Sequence, residues 1–102
     1  MLFYIYIIYS EKADKYYVGH TNDPDRRLFE HNNVIKNSFT SRYRPWCLVA
    51  CFPVSESRGE VRKIENYIKK MKSREFLEKL INDPSEFDKI IQLVRAVPMN
   101  RD

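Results

Sequence analysis

An α+β fold, a small three-stranded antiparallel sheet flanked by helices, follows from three features of the sequence. Leu2 to Tyr9 and Tyr16 to Gly19 are aromatic and β-branched runs on either side of a polar loop, the pattern of a β-hairpin. Trp46 to Val54 is a nearly continuous apolar run that predicts a third strand. From Val61 onward the apolar residues recur at helical spacing.

The 102 residues fit one domain, 1–102, and a chain this long buries roughly 65% of its unfolded surface, enough for one modest core. With 43% hydrophobic residues and only 2 Gly and 5 Pro, the composition is that of a globular protein and argues against wholesale disorder. Leu2 to Tyr9 is far shorter than the roughly 20 residues that span a bilayer, and it has no positive segment ahead of it for export. No membrane association and a cytoplasmic location are therefore expected. Cys47 and Cys51, four apart on one strand, would hold their Cα atoms about 13 Å apart, too far for a disulfide. Reduced core thiols are expected there.

Taken in order, the first strand puts Tyr4 and Tyr6 on one face, and antiparallel pairing is expected to bring Tyr17 beside Tyr6. Gly19 has no side chain and would let another group approach that face. Asp23-Pro24-Asp25 reads as a helix start, with Asp23 as N-cap and Pro24 at the first helical position. Arg27 and His31 lie four apart on that helix and share a face, and Asn32-Asn33 ends it. The third strand is expected to be buried on both faces until Pro53, with Trp46 and Phe52 in the core.

Ser57-Arg58-Gly59-Glu60 has the form of a capping box. In the helix that follows, Val61, Ile64, Ile68 and Met71 form one stripe, and Glu65 stands at its margin. A carboxylate there needs a cation, a metal or water to offset desolvation. Ser73 begins a further helix through Phe76, Leu77, Leu80 and Ile81. Asp83-Pro84-Ser85 interrupts the chain before a last helix over 85–97 carrying Phe87, Ile90, Ile91 and Val94, and Pro98 ends the ordered part.

The net charge of +4 permits a polyanionic partner without requiring one. Basic residues crowd between Arg58 and Arg74, including Arg62, Lys69, Lys70 and Lys72, and a second group, Lys36, Arg42 and Arg44, precedes the third strand. A nucleic-acid surface and an ordinary solvated helix face both fit this distribution. Thr40, Ser41, Arg42 and Arg44 are candidate phosphate contacts.

Tyr6, Tyr17, Arg27, His31 and Glu65 make up a set able to activate water, hold a phosphate and bind a metal, as phosphodiester cleavage requires. Taken singly each has a plainer reading. The tyrosines fit sheet aromatics, Arg27 a snorkelling side chain, His31 a surface histidine near a helix end, and Glu65 an i,i+4 partner of Lys69.

With those residues placed, the chain resembles the GIY-YIG nuclease family. The two strand motifs appear as Tyr4-Ile5-Tyr6 and Tyr17-Val18-Gly19, and the likeness covers about residues 2–82. It is similar to the small stand-alone bacterial proteins built from that domain, whose following pattern matches Thr21-Asn22-Asp23, Arg26-Arg27 and Glu30-His31-Asn32. The resemblance implies hydrolysis of DNA phosphodiesters with one divalent metal, Mg2+ or Mn2+, held by Glu65. It also implies that Tyr17, helped by Tyr6, orients or deprotonates the attacking water, that Arg27 clamps the scissile phosphate, and that His31 touches the phosphate or the leaving group. Which tyrosine is the base stays open. A free phenol, with a pKa near 10, is a poor base at neutral pH, so nearby positive charge is expected to lower it.

Two departures qualify the likeness. Tyr4 replaces the first glycine, and His20 stands where some members carry a lysine that tunes the nucleophile. An imidazole titrates near neutrality, so proton handling here is expected to be weaker or pH-dependent. The expected partner is DNA, branched, damaged or single-stranded, with Arg62 and Lys69 as further contacts and a protein partner for targeting. The alternative is a nucleic-acid-binding module of the same fold with little or no turnover.

Overall fold

The computed structural model describes residues 1–34, 39–71 and 73–96; Lys36, Lys72, Pro98 and the final residue of the expected 85–97 helix lie outside them. The order of elements is β1 (Phe3–Ser10), β2 (Lys15–Thr21), α1 (Pro24–Asn33), a 3₁₀ turn (Thr40–Tyr43), β3 (Cys47–Ser55), α2 (Arg58–Met71), α3 (Arg74–Asn82) and α4 (Pro84–Ala96). The sheet is antiparallel in the order β2-β1-β3, so the first strand is central.

That order corrects the expectation for the third strand. β3 is an edge, with Cys47 and Pro53 exposed and much of the remainder half-buried. Pro53 lacks a backbone N–H, and an edge strand tolerates the missing ladder bond. Nor is Cys47 a core thiol: both cysteines are free, Cys47 exposed and Cys51 half-buried.

The two faces of β1 serve two clusters. Phe3, Ile5 and Ile7 point with Val18 and Phe52 toward Val61, Ile64 and Ile68 of α2, Leu80 of α3, and Phe87 and Ile90 of α4. There Phe52 and Phe87 stack with centroids 4.1 Å apart and planes within 9°. On the opposite face Tyr6, Ile8 and Trp46 pack with Tyr17, Leu28, Tyr43 and Leu48 beneath α1 and the 3₁₀ turn.

Local signals set the helix starts. Asp23 accepts from Arg26 N at 3.1 Å with Pro24 following, and Ser73 accepts from Phe76 N at 3.1 Å. Ser57 accepts from Glu60 N at 3.3 Å, but the Glu60 side chain binds Arg95 instead of closing the capping box. Met71 is 44% exposed and leaves the expected apolar stripe, because it ends α2 beyond the reach of the sheet. Among the described residues no helix is long and apolar enough to cross a membrane.

Candidate active site

β1 and β2 pair with Tyr6 opposite Gly19 and Ile8 opposite Tyr17. Tyr17 is therefore diagonal to Tyr6 instead of directly across, on the same face, with ring centroids 6.4 Å apart. The place across from Tyr6 is empty of side chain because it is Gly19. A β-carbon there would stand 2.5 Å from the Tyr6 hydroxyl oxygen, so the glycine is what lets the phenol lie over the strand. Tyr4, opposite Thr21, is half-buried on the same side.

Tyr6 is 1% exposed, and its hydroxyl lies 2.8 Å from His31 Nε2. The Arg27 guanidinium lies near enough to that hydroxyl to act on its charge. Burial pushes the Tyr6 phenol up to about 12, outweighing the effect of Arg27, with Tyr17 and Glu65 adding to the rise. The expectation that neighbouring positive charge makes a tyrosine more acidic is thus reversed at Tyr6, because desolvation dominates. Arg27 Nη1 donates to Glu30 Oε1 at 3.0 Å, and its side chain remains 35% exposed. Burial disfavours its charge, but Glu30 and Tyr6 more than compensate and hold it firmly protonated.

His31 is not a surface histidine. It is 1% exposed, and burial together with the charges of Arg27 and Arg44 lowers its pKa to about 4 despite the opposing effect of Glu30. The ring is neutral at pH 7, with Nε2 facing Tyr6 and Nδ1 lying 2.8 Å from Thr40 Oγ1. In the neutral ring one nitrogen donates and the other accepts, so of the two hydroxyls, those of Tyr6 and Thr40, one donates to His31 and the other accepts from it. His31 stands behind Tyr6, with both nitrogens engaged. Thr40, 2% exposed, is likewise turned inward toward His31.

The second half of the site lies on α2, beside the edge strand β2. Glu65 is 9% exposed; His20 donates from Nδ1 to its Oε1 at 2.5 Å, and Lys69 Nζ lies 2.6 Å from its Oε2. Lys69 also sits 5.6 Å from the centre of the Tyr17 ring, linking the carboxylate to the tyrosine face around the outer edge of β2. The i,i+4 pairing of Glu65 with Lys69 that sequence spacing allowed is present together with the approach to the tyrosines. No group of three His, Cys, Asp or Glu side chains is placed to share a metal among the described residues. The donor set nevertheless fits a cation: a largely desolvated carboxylate already holds one, an ammonium that is 45% exposed.

Of the other expected contacts, Arg42 and Arg62 are exposed on the 3₁₀ turn and on α2, and Arg44 donates to the carbonyl of His31. Sequence reasoning passed over Asn32 as more than a helix end. Its amide donates to Trp46 O at 3.0 Å and accepts from Trp46 N at 2.7 Å, tying α1 to the start of β3. Phe39, 49% exposed, was passed over too; its place shortly before Arg42 and Arg44 was the only signal the sequence carried.

Known proteins resemble this chain over part of its length. The chain is 48% identical over 56 residues to the structure-specific endonuclease subunit slx1 of Schizosaccharomyces japonicus, covering 51% of this chain and 20% of that protein. It is 41% identical over 58 residues to the structure-specific endonuclease subunit SLX1 of Debaryomyces hansenii, covering 48% and 17% respectively. The matches thus span a fifth or less of those relatives' length. No solved structure matches significantly. A family description, the GIY-YIG catalytic domain, matches residues 2–80, and on that match the chain belongs to the GIY-YIG nuclease family.

Proposed function

We propose that the protein is a metal-dependent DNA endonuclease that selects its substrate by structure, acting on branched, damaged or single-stranded forms. The observation that carries this reading is the approach of the Tyr6–His31 pair and Tyr17 to the Glu65–His20–Lys69 cluster around one strand edge. The relatives' description as structure-specific endonuclease subunits supports the substrate class and a partner protein. The likeness to small bacterial members rests on the run from Thr21 to His31 alone.

In hydrolysis a water oxygen bonds to phosphorus while the bond from phosphorus to one sugar oxygen breaks. Arg27, charged and one-third exposed, clamps the phosphate and offsets the charge that builds on its oxygens. Tyr6, buried and bonded to His31, with its phenol pushed up to about 12 by desolvation, is suited to positioning and poorly suited to act as base. Tyr17, half-buried on the accessible side, is left as the phenol that orients the water. Glu65, steered by His20, would hold the divalent cation in place of Lys69, and the cation when bound supplies Lewis-acid stabilisation of the phosphate.

The resting engagement of both Glu65 oxygens by His20 and Lys69 favours one second reading, a DNA-binding module of the same fold with little turnover. The two are separated by assaying supercoiled, branched and single-stranded DNA with Mg2+ or Mn2+, wild type against Glu65→Ala. Cutting by wild type alone supports the nuclease. Equal cutting by both removes Glu65 from the chemistry, and binding without cutting by either favours the module.

A further inference from the structure

Next to the candidate active site, a groove of about 520 Å³ runs between the hairpin and the α2–α3 junction, lined by Asp14, Lys15, Tyr17, Phe39, Lys69 and Arg74 among others. Tyr17 belongs to both the groove and the catalytic face. Phe39 lies 6.2 Å from Tyr17 with the rings nearly parallel, 5.1 Å from Tyr43 edge-on, and remains 49% exposed. Lys15 Nζ sits 5.5 Å from the Tyr43 ring centre and Lys69 Nζ 5.6 Å from that of Tyr17, so a cation stands on each side of the aromatic patch. Arg74 is tied to Asp14 and Glu78 and forms the far wall.

We propose that this groove is a subsite for an unpaired nucleotide of the strand flanking the scissile phosphate, with the base stacked on Phe39 and the backbone phosphates facing Lys15 and Lys69. The inference rests on the nuclease reading for the position of the scissile phosphate. The aromatic patch with a lysine on each side and its continuity with Tyr17 point to nucleic acid as the occupant. The exposed ring identifies it as unpaired, because bases inside a duplex already stack on their neighbours and offer no free face, whereas a frayed or single-stranded base gains a partner. A structure preference then arises without any reader of base edges.

The test uses the full chain with EDTA and no divalent cation, so that nothing is cut, and a duplex carrying a single-stranded flank with 2-aminopurine as its first unpaired base. Wild type should change the probe's fluorescence and bind this DNA roughly ten-fold more tightly than a fully paired duplex of equal length, in line with the usual worth of one aromatic stack. Phe39→Ala and the equally apolar Phe39→Leu should lose both effects while keeping duplex affinity and the wild-type circular dichroism, and Phe39→Trp should restore them. Wild-type behaviour in Phe39→Leu, or an equal probe response in paired DNA, overturns the subsite. Stacking without cleavage in a parallel Mg2+ assay counts against the nuclease reading and leaves the groove as a nucleotide subsite of a binding module; cleavage without stacking overturns the subsite and leaves the nuclease reading standing.

Discussion

The hydroxyl of Tyr6 lies 2.5 Å, and its Cζ 2.7 Å, from the point where a β-carbon on Gly19 would stand. The ring is held by His31 and sealed from solvent, so it has nowhere to withdraw.

Gly19→Ala is therefore expected to displace Tyr6 and with it the Arg27 guanidinium. Overpacking of this kind costs about 1–3 kcal/mol, and a shift of the clamp costs on the order of a hundred-fold in turnover. Thermal melting and cleavage rate on one preparation check both, and an unchanged rate would separate Tyr6 from the chemistry.

Arg27→Ala should lower turnover by about two to three orders of magnitude, as loss of a donor to developing charge does. If only the apparent KM rises, with kcat intact, Arg27 merely binds DNA.

Acid should weaken the fold through His31. Its pKa is 6.5 in the free side chain and about 4 in the fold, lowered by burial and by the charges of Arg27 and Arg44. Between those values the unfolded chain binds the proton and the folded chain does not, so this contribution is complete above about pH 6.5 and is lost progressively as pH falls toward 4, by up to about 1.4 kcal/mol per pH unit. Urea midpoints of wild type and His31→Gln across that range measure it; parallel curves would refute a buried neutral imidazole.

Lys69→Met removes the ammonium that competes for Glu65 Oε2. Mn2+ affinity, read by electron paramagnetic resonance of the free ion, should tighten by a few-fold, since a half-exposed ion pair is worth at most about 1 kcal/mol. Unaltered or weaker binding would show that Lys69 does not hold the cation's place.

Phe87→Ala should cost about 3–5 kcal/mol, because the ring is 2% exposed and stacked on Phe52. A chemical denaturation midpoint within error of wild type would contradict the assigned core.

What the sequence revealed was mostly what neighbours decide. Asp23-Pro24 and Ser73 start their helices through bonds three residues long, and Glu65 meets Lys69 one helical turn away. The seclusion of His31 depends on Thr40 and Trp46, the second of which reaches the site through a bond from its indole to the Thr40 carbonyl. The bond from His20 to Glu65 joins positions 45 apart in the chain, where sequence spacing carries no signal. The central place of β1 was hidden for a similar reason: the apolar run of β3 looks equally enclosed until pairing on both sides of β1 is known. The position of Tyr17 diagonal to Tyr6 followed from a register that only the four-residue turn sets.

Because β1 is laddered on both sides, its odd positions Phe3, Ile5 and Ile7 supply the core while its even positions Tyr4, Tyr6 and Ile8 face the other way. A one-residue deletion within this strand would invert every position on one side of it, turning phenols into the hydrocarbon interior and aliphatics onto the face that carries Tyr6 and Tyr17. Frame-preserving point changes can tune stability or chemistry separately here, but loss of a single codon between residues 4 and 8 would forfeit both together.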